Sequence, residues 1–437
     1  MAIIPQKYLF DYKEIENLLD LERLLLIINY LPDEKLMRKL ISCRGNGRND
    51  YPVRAMWNSI LAGIVYQHPS IEMLRRDLSR NGQLRDMCGF DPLRLSPVPT
   101  ANAYTNFLKL LIEHEQYIDD IFTDLVEKIS GLLEGFGSNL AIDSKAINSR
   151  ASRRRDGVKD LRGESDADRG VKTYSGKNKD GSAWKKIKSW FGFKLHLIVD
   201  SDYELPVAYS VSKASSSDVT IGKQMINNLG KERPQILENA ELLTADKGYD
   251  DAKFYELLWN KHSVKPVVDI RKQWQITGEL RALPDKEHLY YNQAGTIHCK
   301  CQETGEIRAM QFAGFEKDRD TLKYRCPCKY QGVDCQSRSC CSIGDNVRID
   351  IHQDIRRFCP VPHESAKFKS TYKKRSSVER VNSRIAESFC FDKHYIRGLA
   401  KMRVRCGLAL LVMLGMAYGR IKQKQEEHIR SLVKAVA

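Results

Sequence analysis

The chain lacks the runs that would carry it into or across a bilayer. Its longest uncharged apolar stretch, Gly407 to Tyr418, is too short to span the hydrocarbon core and reads as a buried helix. No charged start followed by an apolar block and a cleavage site is visible. Residues 1–30 instead interleave charged and apolar positions, as in Tyr12-Lys-Glu-Ile-Glu-Asn-Leu-Leu-Asp-Leu-Glu-Arg-Leu-Leu-Leu-Ile-Ile, the pattern of an amphipathic helix. There is no internal repeat. Acidic residues are in deficit, 56 Asp and Glu against 71 Lys and Arg, for a net charge of +15. Such a surplus favours a polyanionic partner, nucleic acid first, but on charge alone a basic enzyme that simply stays soluble is an equal alternative. With no export signal a cytoplasmic location without a membrane partner is expected. The 12 cysteines should then be reduced, serving as core residues or metal ligands rather than disulfides.

At 437 residues the chain exceeds the size at which one core keeps growing, so two or three units are expected. Residues 1–135 read as a helical domain for DNA-end binding or dimerisation: Met56, Ile60, Leu61, Ile64 and Val65 recur at helical spacing, as do Phe107, Leu108, Leu111 and Ile112. Thr100 is a candidate cap for the second of these helices. From 136 to 270 the texture turns to strands. Asn139-Leu-Ala-Ile-Asp143 is a short apolar strand, Phe191–Val199 and Leu205–Ser212 form a hairpin, and Glu241–Asp246 and Val264–Ile270 are further strands with helices near 218–230 and 251–261 between them. Residues 271–365 form a polar, Cys-rich insertion with little periodicity. Helices near 374–390 and 399–424 fall in a returning segment, 366–425, ahead of a tail at 426–437. The order predicts an α/β fold, a mixed sheet domain interrupted by an extra module and preceded by a helical domain.

Asp143 and Asp246 each close an apolar strand, and Glu379 sits on a helix. Carboxylates on rigid elements suit a pair of hard divalent ions such as Mg²⁺, one activating a nucleophile and one steadying a leaving oxygen, about 3.5–4 Å apart. Strand-terminal Asp is equally an ordinary turn residue. Asp250 and Asp251 nearby show the ambiguity, and spacing alone does not single out the three.

Asn139-Leu-Ala-Ile-Asp-Ser-Lys145, Gly192-Phe-Lys-Leu-His-Leu-Ile-Val-Asp200 and Leu242-Leu-Thr-Ala-Asp-Lys-Gly-Tyr-Asp250 resemble, in order, the blocks of DDE-type bacterial insertion-sequence transposases. Tyr372-x-x-Arg375-x-x-x-Glu379 is similar to that family's signature around its glutamate, and Trp57–Leu110 is similar to the helical N-terminal domain often attached to it. The resemblance implies an RNase H-like mixed sheet flanked by helices, with Asp143, Asp246 and Glu379 as catalytic residues holding two Mg²⁺ or Mn²⁺ ions. It implies cleavage at insertion-sequence ends, strand transfer into target DNA, a homodimer on DNA, and a nucleoid-associated protein. One departure stands out: Ala386 occupies the position, seven residues after the glutamate, where the family usually has lysine. Arg384 or Lys393 is then the candidate for that phosphate contact. A non-joining nuclease on the same fold, or an inactive DNA-binding relic that represses transposition, remains an alternative.

Tyr372, Arg375 and Glu379 fall at i, i+3 and i+7, one face of a helix that begins early enough, where Arg375 can bind a DNA phosphate bidentately. The 150–190 segment carries thirteen Lys and Arg, among them Arg153, Arg154, Arg155, Lys185 and Lys186, against six acids. It reads as a solvated, unstructured DNA-contacting loop in which Tyr174, Trp184 and Trp190 stack on an unpaired base. Arg75, Arg76 and Arg80 are candidates for end recognition in the helical domain. His196 is expected to be a hydrogen-bonded structural histidine. Cys299, Cys301, Cys326, Cys328, Cys335, Cys340 and Cys341, with Cys359, His298 and His352 close by, are dense enough for a structural Zn²⁺ site, although their spacing is not that of paired C-x₂₋₄-C ligands. Reduced, partly buried thiols in a variable loop are the other reading.

Overall fold

The computed structural model describes residues 19–44, 50–90, 98–151, 164–178, 180, 182–271, 274, 276, 278–284, 286–336, 341 and 343–432. Helices come first: α1 (Leu19–Tyr30), α2 (Glu34–Cys43), α3 (Val53–Val65), α4 (Ile71–Arg80), α5 (Gly82–Cys88), α6 (Ala101–Glu113) and α7 (Gln116–Ser130). Then follow β1 (Asn139–Asn148), β2 (Asp168–Lys177), β3 (Ala183–Asp200), β4 (Leu205–Lys213), α8 (Asp218–Glu232), α9 (Pro234–Asn239), β5 (Leu242–Ala245), α10 (Ala252–Glu256) and β6 (Lys265–Val268). The insertion holds β7 (Arg281–Ala282), β8 (Leu289–Tyr291), β9 (Ile297–Lys300), β10 (Ile307–Ala309), β11 (Gln311–Glu316), β12 (Thr321–Arg325), α11 (Pro327–Gln331) and β13 (Asn346–Asp350). The chain closes with α12 (Ala366–Tyr372), α13 (Ser376–Ser388) and α14 (Leu399–Lys422).

Two compact units emerge: Met1–Glu134 with Ile147–Phe193 and Asn382–Ala437, and Gly135–Ala146 with Lys194–Val381. In the first, α14 packs against α1, α3, α6 and α7. A helix apolar all round needs partners all round. By length and hydropathy α14 is long enough to cross a membrane, yet 89% of its apolar window is buried within the protein. Thr100 caps α6, its Oγ1 accepting the Ala103 N–H at 3.1 Å. Residues expected to form a loop are instead a two-stranded ribbon, β2 pairing antiparallel with β3 from Asp168↔Gly192 to Lys177↔Ala183. It was hidden in the sequence because residues 183–189 of β3 are all exposed, lysines and the apolar Trp184 and Ile187 alike, so no buried face recurs. Arg153, Arg154 and Arg155 lie outside the described residues.

The second unit is built on strands in the order β3-β1-β5-β6, with β4 paired to β3. β1 runs parallel to β5 and β5 parallel to β6. The hairpin turn between β3 and β4 is organised by Asp200, a buried carboxylate that accepts the backbone N–H of Gly137, Asp202 and Tyr203. The insertion is more ordered than its sequence suggests. It forms a four-stranded sheet, β10-β9-β8-β7, and a three-stranded one, β11-β12-β13. Most of these strands are two to five residues long, too short to show a period.

Candidate active site

The registers of the central strands decide which acids meet. Ile142 stands opposite Ala245 in the parallel β1–β5 pair. Asp143 and Asp246 therefore follow at adjacent positions on strands that lie about 4.8 Å apart. Thr244 reinforces the pairing, its Oγ1 donating to the Leu140 carbonyl at 3.1 Å. Contrary to the sequence reading, β1 does not end at Asp143 but runs on to Asn148; pairing with β5 is what stops there. Both aspartates are half-buried.

Asp246 turns the chain. Its Oδ1 accepts the Gly248 N–H at 2.7 Å and so caps the one-turn 3₁₀ helix Lys247–Tyr249. A Cβ at Gly248 would stand 2.7 Å from that same Oδ1, so only glycine leaves the carboxylate in place. Asp143 Oδ1 accepts the Ser144 N–H at 2.7 Å.

The structure separates Asp246 from its acidic neighbours. Asp250 is fully buried and saturated: Arg356 binds it bidentately at 2.8 and 2.7 Å, and the Arg271 N–H adds a third bond at 2.8 Å. Asp251 caps α10 through the Phe254 N–H and pairs with Lys223 at 3.1 Å. Both are structural.

The signature residues lie on a helical run that starts earlier than expected, at Ala366, and is interrupted by a 3₁₀ turn at Lys373–Arg375 before α13. Tyr372 stacks on Phe368, ring centroids 5.5 Å apart, against a core of Leu242, Val267 and Val361. Arg375 sits over the Tyr372 ring at 5.6 Å and donates from Nη1 to Glu379 Oε1 at 2.7 Å. Lys374 to Asp202 and Arg380 to Glu204, each 2.7 Å, fasten this run to the β3–β4 turn. Burial lifts the Tyr372 hydroxyl to about 12, with Arg375 opposing and Asp269 and Asp246 adding. Burial pulls the Arg375 guanidinium down, but the bond to Glu379, helped by Tyr372 and Asp143, leaves it above its ordinary value. Thus Tyr372 feels Asp246, and Arg375 feels Asp143 as well as Glu379.

Among the described residues no group of three or more His, Cys, Asp or Glu side chains is gathered tightly enough to hold an ion. For the three acids the reason is visible: Glu379 is half-exposed and turned onto Arg375. The donor set itself is suited to a hard cation, being carboxylate oxygen on two adjoining strands and a facing helix.

The cysteines are all free among the described residues. Burial raises the Cys299 thiol to about 11, and Cys326, Cys335 and Cys341 add to the shift, so these four are neighbours. Cys301 and Cys328 are buried, and Cys340 lies outside the described residues. His196 is wholly buried and bonded to Ser212 Oγ at 2.8 Å. Lys185 and Lys186 are exposed on the ribbon, Arg384 donates weakly to the Arg430 carbonyl at 3.5 Å, and Ala386 is half-buried.

Sequence reasoning passed over a second cluster beside the acids. Tyr249 is buried, and among the described residues its hydroxyl has no hydrogen-bond partner; burial, then Asp218, Asp143 and Asp246, push it well above its ordinary value. Asp218 in turn receives Lys194 at 2.8 Å. The available signal was Lys194 itself, a charge inside the apolar run Gly192–Val199.

A family model described as "Transposase DDE domain" matches residues 135–414, and one described as "Transposase domain (DUF772)" matches residues 11–110. The chain belongs to the DDE transposase family. No curated protein matches it. A solved structure, the cryo-EM structure of piggyBac transposase synaptic complex with hairpin DNA, aligns over 95% of this chain and 86% of its own at 12% identity and a TM-score of 0.34, a likeness too slight to carry an argument. In this transposase the first family match covers Asp143, Asp246, Tyr372, Arg375 and Glu379 together with the whole insertion.

Proposed function

We propose that this transposase cuts DNA at the ends of an insertion sequence and joins the freed ends to target DNA, using Asp143, Asp246 and Glu379 on an RNase H-like core. The observation that carries the reading is the β1–β5 register, which sets Asp143 beside Asp246 where Arg375 and Glu379 approach from the facing helix. The strand order β4-β3-β1-β5-β6, a hairpin joined to parallel strands, supports the RNase H-like assignment.

The three carboxylates would hold two Mg²⁺ or Mn²⁺ ions, which when bound polarise the scissile phosphate and lower the pKa of attacking water. Asp143 and Asp246 fix the donor positions through strand pairing and the Gly248 bond. Arg375 offers a planar fork to the non-bridging phosphate oxygens. A water oxygen attacks phosphorus in line while the bond to the 3′ oxygen breaks, and that oxygen takes up a proton. The resulting 3′-hydroxyl then attacks a target phosphodiester, displacing a second 3′ oxygen. Two ends must be held together, so the working form is a homodimer on DNA, in the cytoplasm at the nucleoid. Because no three of the described cysteines are gathered tightly enough to hold an ion, Cys299, Cys326, Cys335 and Cys341 are read as reduced thiols, and elemental analysis of purified protein for zinc tests this.

The experiment is cleavage and strand transfer on labelled duplexes carrying the DNA that borders the gene. Wild type is compared with Asp246→Asn, with Mg²⁺, Mn²⁺ or chelator. Metal-dependent cutting and joining, lost in the variant while binding survives, is expected. Cutting without joining would replace the reading with a nuclease, and binding without cutting in either protein would replace it with an inactive relic in which Ala386 is the first position to revert.

A further inference from the structure

The β2–β3 ribbon gathers lysines on one face. Side chains alternate across a strand, so Gly170, Lys172 and Gly176 of β2 share a face with Trp184, Lys186, Lys188 and Trp190 of β3. Both tryptophans are laid down on glycines. A Cβ at Gly170 would stand 2.3 Å from Trp190 Cζ2, and one at Gly176 would stand 2.7 Å from Trp184 Cε2. Trp190 is held further by its Nε1–H donating to the Phe193 carbonyl at 3.1 Å. The indoles therefore pack across the two ends of the ribbon.

Between the indoles the face carries Lys172, Lys186 and Lys188, with Tyr174 at the register position opposite Lys186 and no acidic residue. Lys172 stands directly opposite Lys188 in the register, an arrangement that like charges disfavour. Lys186 and Lys188 are exposed, Lys172 is half-buried, and among the described residues none of the three has an ion-pair partner. A rigid two-stranded ribbon is narrow enough to enter the major groove of B-form DNA. A row of unneutralised lysines along its face matches a line of phosphates.

The geometry points to the β2–β3 ribbon as a duplex-DNA arm, gripping phosphates with the Lys172, Lys186 and Lys188 face while Trp184 and Trp190 keep it stiff. This rests on the transposase reading of the catalytic unit, and adds to it which surface holds the duplex and which face of that surface does so.

The test is binding of full-length protein to a labelled duplex of arbitrary sequence, about 30 base pairs long, followed by anisotropy as salt rises from about 50 to 200 mM. The variants are Lys172→Gln with Lys186→Gln and Lys188→Gln together, and Lys185→Gln on the opposite face. The triple variant should lose about 0.9 of salt slope per lysine and bind on the order of 10²-fold more weakly near 0.1 M salt. Lys185→Gln should leave the slope close to wild type. Replacing the exposed Lys185, Lys186 and Lys188 and the half-buried Lys172 should leave thermal stability nearly unchanged, and melting curves of each variant check this. An unchanged slope in the triple variant, beside steeply salt-dependent wild-type binding, overturns the arm and leaves the transposase reading standing. A per-residue loss as large in Lys185→Gln overturns the assignment of the face. Failure of the wild type to bind duplex overturns both.

Discussion

Arg375 Nη1 lies 2.7 Å from Glu379 Oε1, so the arginine of the signature holds the glutamate that is proposed to complete the metal site. A guanidinium and a divalent ion compete for the same carboxylate. Arg375→Gln should therefore bind Mn²⁺ more tightly in the absence of DNA, by about 1.4- to 5-fold given that half-exposed pairs contribute ~0.2–1 kcal/mol. Calorimetric titration of Mn²⁺ into both proteins measures this. Weaker Mn²⁺ binding in the variant would mean that Arg375 supports the site and does not compete with it.

Gly248 is set against Asp246 so closely that a methyl group would meet the carboxylate oxygen at 2.7 Å. Gly248→Ala should displace Asp246 by a few tenths of an ångström or more and lower the cleavage rate by up to ~10²-fold, since misplacements of about 1 Å have that effect. Overall melting should change little, because the residue lies in a half-exposed turn. Single-turnover cleavage beside a melting curve separates the two effects.

Asp250 lies four residues from Asp246 but should respond in the opposite way. Removing Arg356 leaves a buried carboxylate with only the Arg271 N–H from its bonds described above. Arg356→Leu is expected to cost about 3–5 kcal/mol of stability, the usual result of breaking a buried pair from one side. Asp246→Asn should leave the denaturation midpoint almost where it was. Equal destabilisation by the two substitutions would mean that Asp246 is also a structural acid.

His363 is buried with Nε2 2.8 Å from the Arg356 carbonyl, which can only accept, so Nε2 carries a proton. Burial depresses its pKa below the ordinary value, with the carbonyl bond opposing. A folded pKa below the unfolded one means that the unfolded chain binds the proton first. Stability is then complete above about pH 6.5 and falls as the pH drops below that unfolded value. His68, His262 and His394 are depressed in the same direction, again mainly by burial. Melting temperatures between pH 7.5 and 5.5 should fall, and His363→Gln should flatten part of that slope. An unaltered slope in the variant would place the acid sensitivity elsewhere.

Chain order was enough to read the strands and helices around Asp143, Asp246 and Glu379, because buried strands and amphipathic helices leave long apolar patterns. The strands of the insertion left almost none, being short and mostly polar. The ribbon was misread as a loop for a related reason: an exposed two-stranded element has no buried face, so hydrophobic alternation has nothing to record. Local sequence also could not separate Asp246 from Asp250, since both follow an apolar strand within one turn. Only the approach of Arg356, 106 residues away, reveals that Asp250 is saturated.

What the sequence determined by itself was therefore the local chemistry: which residues are acids, which segments bury themselves, and the ordered blocks that mark the family. What the tertiary structure decided was partnership. The β1–β5 register sets Asp143 beside Asp246, the helical run through Lys373–Arg375 joins Arg375 to Glu379, and the ribbon gathers three lysines on one face. The physical reason is that hydrogen-bond registers and ion pairs depend on distances in space, and residues far apart along the chain acquire those distances only when it folds.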